Sequence, residues 1–159
     1  MNAENESPDR LVAQNRRASH DYFILETFEA GLVLTGTEVK SLRAGKASLA
    51  EAYAMVENGE AFILQMHIPP YEQGNRSNPD PVRRRKLLLH RRQIALLEKA
   101  VAQKGQTLIP LKLYFSKGYA KLLLAVGKGK KTYDKRHTIA ERDARREVER
   151  AKGAARRGG

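Results

Sequence analysis

The sequence predicts a mainly β fold: a small antiparallel barrel with flanking helices and a basic C-terminal tail that is disordered in the free protein. Three observations predict it. Short runs of alternating apolar residues recur along residues 15–126, joined by compact turn signals. Residues 127–159 hold 12 basic against 5 acidic residues, and their only large apolar residues are Tyr133, Ile139 and Val148. Such a stretch buries too little surface to offset its ordering entropy. The whole chain, 159 residues, is one domain's worth and long enough for a core without disulfides or a metal. The expected division is a flexible N-terminus (1–14), a folded body (15–126) and the tail (127–159).

The elements follow in order. Tyr22 to Leu34 is rich in aromatic and branched residues and is interrupted at Gly31, which predicts a long strand with a bulge or bend there. Thr35-Gly36-Thr37-Glu38 opens a short helix with Thr37 as the candidate N-cap, Glu38 at the positive end and Gly45 at the stop. Val39 and Leu42 are expected to face inward. Asn58-Gly59 between Ala50–Glu57 and Glu60–Ile68 is a strong hairpin signal, because a type I′ turn needs positive φ at both central residues. Phe62, Leu64, Met66 and Ile68 alternate onto one face. Residues 69–82 hold four of the six prolines and read as a long loop. A helix is expected over roughly Leu87 to Lys104, with Leu87, Ile94, Leu97 and Val101 as its apolar stripe. A second hairpin places Ile109, Leu111, Leu113 and Phe115 on one strand, Ser116-Lys117-Gly118 in the turn, and Ala120, Leu122, Leu124 and Val126 on the return. Tyr119 and Lys121 then point the other way. Many short antiparallel strands with helices at the edges suggest an oligonucleotide-binding-like barrel.

Composition bounds the chemistry. Cysteine is absent, which excludes disulfides, thiolate metal sites and a Cys nucleophile, and fits a reducing, cytoplasmic setting. The longest runs of apolar residues are five long, such as Leu122–Val126, far short of a membrane span. The start, Met1 to Gln14, is polar and mixed in charge, unlike a signal peptide. Lys and Arg number 30 against 18 Asp and Glu, a net charge of +12. That excess points to a polyanion, most simply a nucleic acid. An anionic membrane would want a basic amphipathic helix with large apolar residues opposite, and none is evident.

Catalytic sets are scarce. His20, His67, His90 and His137 show no metal-ligand spacing, and no phosphate loop of the Walker or dinucleotide kind occurs. No cofactor or metal is expected. Glu26, Glu29, Glu38 and Glu51 leave a metal-dependent nuclease open in principle, although a solvated surface is the plainer reading of them. A ribosomal or ribosome-assembly protein would share the basic tail. Binding features are stronger. Six of the ten residues from Arg83 to Arg92 are basic, namely Arg83, Arg84, Arg85, Lys86, Arg91 and Arg92, and they can set guanidinium groups against phosphates. In the tail, Lys128, Lys130, Lys131, Lys135 and Arg136 surround Tyr133, with His137 adjacent, so phosphate contact and base stacking can combine there.

Taken together, several strings resemble the SsrA-binding protein (small protein B) family. They are Asn15-Arg16-Arg17-Ala18 with His20-Asp21-Tyr22, Phe28-Glu29-Ala30-Gly31, the run from Gly36 to Lys46, Arg85-Lys86-Leu87-Leu88-Leu89, Pro110 to Tyr114, and Gly127 to Lys131 with Asp134-Lys135-Arg136. The resemblance runs in order from about Asn15 to Arg136. It implies a non-enzymatic factor of trans-translation that binds the tRNA-like domain of transfer-messenger RNA and delivers it to stalled ribosomes. By the same resemblance Glu29, Leu88 and Lys121 belong to the RNA-binding surface. Asn15 and His20 lie in the N-terminal motif, Arg43 and Lys46 in the long motif. Asp134, Lys135 and Arg136 belong to the segment acting at the small-subunit decoding region, with the tail in the messenger channel. A monomer is expected.

Overall fold

Asn58-Gly59 closes a hairpin as the sequence predicts. Their φ values are 52° and 75°, and β3 (Tyr53–Glu57) pairs with β4 (Glu60–Leu64) as far as Glu57 against Glu60. Lys117-Gly118 turns in the same manner, with φ of 52° and 84°, between β6 (Gln106–Ser116) and β7 (Tyr119–Gly129). These are elements of a computed structural model that describes residues 10–72 and 78–130. The expected disorder of the tail beyond Lys130 lies outside the described residues.

The remaining elements are β1 (Arg10–Gln14), α1 (Ala18–Asp21), β2 (Tyr22–Leu32), α2 (Gly36–Arg43), β5 (Arg85–Leu88) and α3 (Arg91–Val101). All strand pairs are antiparallel. The order β6-β3-β4-β5-β2-β7 returns to β6, so the sheet closes into a small barrel, and β1 lies along β6 beyond its pairing with β3. Closure satisfies the long β6–β7 and β2–β7 ladders on a shared strand. The inside is filled by Leu42, Leu49, Ile63, Met66, Leu87, Leu97, Leu108, Leu113, Leu122 and Leu124, all buried. Leu122, Leu124 and Val126 alternate inward along β7 as expected, and α3 adds Leu97 with Ile94 packed beside it. No helix among the described residues is long and apolar enough to cross a membrane.

Several expectations are corrected. Arg10–Gln14 is a strand on β6, so the folded body starts within the segment read as flexible, and β7 carries it on to Gly129. The helix expected from Leu87 begins only at Arg91. Leu87 is instead an inward residue of β5, opposite Ala61 and Leu32. The bulge in β2 falls between Ile24 and Glu26 and not at Gly31. Thr35, not Thr37, caps α2: its hydroxyl accepts from the Glu38 N–H while its own N–H donates to the Glu38 carboxylate. On the inner face of α2, Leu42 is joined by Glu38 and Ser41, while Val39 is only half-buried. Strand phase also differs. In β4 the inward residues are Ala61 and Ile63; left-handed Gln65, φ 58°, then shifts the phase so that Met66 and Ile68 turn inward. In β6 a bulge between Pro110 and Lys112 puts Leu108 and Leu113 in the main core. Ile109 joins a satellite cluster with Ala18 and Ala125.

Candidate nucleic-acid interface

The basic run at the start of β5 is the first surprise. Arg85 is 0% exposed. Its Nε donates to Glu38 Oε2 at 2.7 Å, and its other nitrogens donate to the carbonyls of Met66 at 2.6 Å and Pro81 at 3.0 Å. Arg83 grips the same carboxylate through Nε at 3.0 Å and Nη2 at 2.6 Å. Burial alone would raise the Glu38 pKa. The hydrogen bonds from Arg83, from the Thr35 backbone and from Arg85 outweigh it and hold the carboxyl below its ordinary value of 4.5. Arg84 meets Glu57 at 2.5 Å and lies 3.8 Å from the centre of the Phe62 ring, and Lys86 meets Glu60 at 2.7 Å. The run has no acids of its own, yet the fold supplies a carboxylate to each of Arg83, Arg84, Arg85 and Lys86. Arg85 is therefore corrected from a phosphate contact to an internal tie that joins β5, α2 and the connection after β4.

A different place gathers the sequence-predicted residues. Tyr114 of β6, Lys121 of β7, Gly31 of β2 and Leu88 of β5 are successive cross-strand partners, so they form one row on the outer face of the barrel. Gly31 is what lets the row close up: a Cβ there would stand 3.2 Å from the Leu88 Cβ. Leu88 lies over that gap and is 53% exposed, so it is a surface residue and not part of the core. Glu29, two residues before Gly31, shares its face, and its Oε2 accepts from the Tyr114 hydroxyl. Glu29, Gly31, Leu88, Leu89, His90, Gln93 and Lys121 line an open depression of about 470 Å³. It gathers an oriented carboxylate, an uncovered apolar side chain and a lysine in the lining of one depression.

His90 and Gln93 also line this site, and no sequence pattern marks them for it. Reading Leu87 to Lys104 as one helix hid the strand-to-helix corner that places them; the His90 N–H donates to Gln93 Oε1 across that corner at 3.0 Å. Other predicted residues stand apart. The Asn15 side chain donates to the Pro110 carbonyl at 3.1 Å and helps line a second depression with Arg17, Asp21, Tyr22 and Tyr53. His20 is exposed, with Nδ1 3.0 Å from Asp21. Arg43 and Lys46 are exposed at the end of α2, where the Arg43 carbonyl accepts from the Arg10 guanidinium. Lys128 sits near the end of β7. Lys130 donates to the Ser19 carbonyl at 2.8 Å and lies 5.1 Å from the centre of the Phe23 ring. Lys131, Tyr133, Asp134, Lys135, Arg136 and His137 lie outside the described residues. Among the described residues no group of His, Asp and Glu could hold a metal ion.

Known proteins similar to this chain in sequence and in fold agree among themselves. The SsrA-binding protein of Anoxybacillus flavithermus is 63% identical over 142 residues, covering 89% of this chain and 92% of its own length. The SsrA-binding protein of Acetivibrio thermocellus is 62% identical over 141 residues, covering 89% and 92%. A chain from the solved structure described as "tmRNA-SmpB: a journey to the center of the bacterial ribosome" superposes with a TM-score of 0.64 at 55% identity, covering 74% of this chain and 82% of that one. The sequence profile described as SmpB protein matches residues 12–154, which take in the barrel, the Glu29–Leu88–Lys121 row and most of the basic extension. With that match and identities near 60% over almost the whole length, this chain belongs to the SmpB protein family.

Proposed function

We propose that this chain binds the tRNA-like domain of transfer-messenger RNA through the Glu29–Leu88–Lys121 depression and carries that RNA to stalled ribosomes, where the residues after Lys130 act in the messenger channel. It is an RNA-binding factor of trans-translation and not an enzyme. The observation that carries the reading is the depression itself. Lys121 supplies charge for a phosphate, Leu88 an apolar contact for an unstacked base, and Glu29 an acceptor for a base amino group or a 2′-hydroxyl. The Tyr114 hydroxyl holds the Glu29 carboxylate in place, so it acts here as a fixed acceptor. Membership of the SmpB family and the naming of relatives as SsrA-binding proteins support the choice of RNA.

The test is a gel shift of the full chain with transfer-messenger RNA against excess ordinary tRNA. The complex should survive the competitor; equal competition would overturn the reading. Lys121→Ala should weaken binding and lower the slope of log affinity against log salt by about 1, the share of one phosphate contact. Lys86→Ala serves as the control. Its ammonium already has Glu60 as a partner, so its slope should move less.

A further inference from the structure

We infer that Tyr119 is a stacking platform for an unpaired RNA base lying next to the nucleotide held in the Glu29–Leu88–Lys121 depression. The residue is 72% exposed, more than any other large apolar residue among the described residues. Nothing large stands opposite it, because its cross-strand partner on β6 is Ser116. The residue sits at the start of β7 directly after the Lys117-Gly118 turn, so a rigid two-residue hairpin presents it. It is also two residues from Lys121. Side chains at that spacing share a face and stand about 7 Å apart along a strand, close to the distance between neighbouring phosphates in extended RNA. A phosphate on Lys121 therefore places the adjoining sugar and base over the Tyr119 ring. Lys117, exposed in the turn, adds charge on the side from which the backbone would continue. An aromatic face accepts any base, so Tyr119 adds affinity and sets the path of the strand without selecting a sequence.

The inference rests on the RNA-binding reading above, and the test separates the two. The chain has no tryptophan, so Tyr119→Trp installs a single indole at the platform. Titration with the tRNA-like domain should quench its emission in step with binding. Tyr119→Ala should weaken binding about tenfold, as expected for loss of one stacked base, while Tyr119→Phe stays within about twofold of the parent. The salt slope of Tyr119→Ala should match the parent, because no phosphate contact is lost. Its thermal midpoint should also change little, since the residue is mostly exposed. Parental affinity for Tyr119→Ala, or an indole emission that ignores bound RNA, would overturn the inference while leaving the RNA reading intact. Failure of the parent chain itself to bind the tRNA-like domain selectively would instead overturn the underlying reading.

Discussion

Glu38→Ala should cost about 3–5 kcal/mol of folding stability, a large part of what a domain this size possesses. The reason is the company Glu38 keeps. It is 2% exposed and accepts from two guanidinium groups and a backbone N–H, and Arg85 beside it is wholly enclosed. Removing the carboxylate leaves a buried cation whose remaining partners are carbonyls. Glu38→Gln should cost less, because its amide oxygen still accepts one of those bonds. Arg85→Met alone should also destabilise, yet Glu38→Gln with Arg85→Met should cost less than the sum of the two, since the double variant leaves no buried charge uncompensated. Urea melts of the four chains measure this. Additive costs would show that the pair does not act as a unit. The same carboxylate predicts an acid response. Its pKa in the folded chain is below 4.5, so its contribution is fully present above that pH and is lost as pH falls through the folded-state value. Glu38→Gln should flatten the fall of stability below about pH 4.5, and an unchanged profile would assign acid lability to other groups.

How far the sequence alone reaches is clear from where its patterns are local. The Asn58-Gly59 turn is legible because Asn and Gly adopt positive φ through their own chemistry, and Gly118 marks the second turn, where the hairpin rather than its own preference carries Lys117 to positive φ. The alternation of Leu122, Leu124 and Val126 is legible because β7 is paired on both sides without losing phase there. Phase along β4 and β6 is not legible, since one left-handed residue, Gln65, or one bulge after Pro110 flips every later side chain. The Arg83–Lys86 run misleads for a related reason. Its counter-charges, Glu38, Glu57 and Glu60, lie tens of residues away and meet it only once the barrel closes. The candidate RNA surface shows both sides of this. Glu29, Leu88 and Lys121 came from resemblance to a family, and Lys121 also from its place opposite the core phase of its strand. Tyr114 joins them only through strand register, and His90 and Gln93 through the corner between β5 and α3, neither of which a local pattern records.

A chain ending at Lys130 should bind the tRNA-like domain within about threefold of the full chain yet give no rescue of stalled ribosomes. The position of the cut matters. β7 pairs Lys128 with Phe23 and Gln106 and Gly129 with Tyr22, and Lys130 still donates to Ser19, so a cut at Gly127 would unravel the barrel's seam and confuse misfolding with loss of function. Ending at Lys130 keeps every described element. From Lys121 to Gly129 the strand advances about 26 Å, so the extension leaves the barrel far from the Glu29–Leu88 depression. At physiological salt that separation exceeds the screening length of about 8 Å several times over. The removed residues carry 10 basic and 5 acidic groups, while Glu29, Leu88 and Lys121 all remain in the shortened chain. The removed charged groups, together with Tyr133 and His137, are what a channel walled by ribosomal RNA would engage, which is why rescue should fail outright. A gel shift near 0.15 M salt and a tagging assay on stalled ribosomes read the two quantities separately. Loss of most RNA affinity on truncation would overturn the division between barrel and extension, and so would full tagging activity without it.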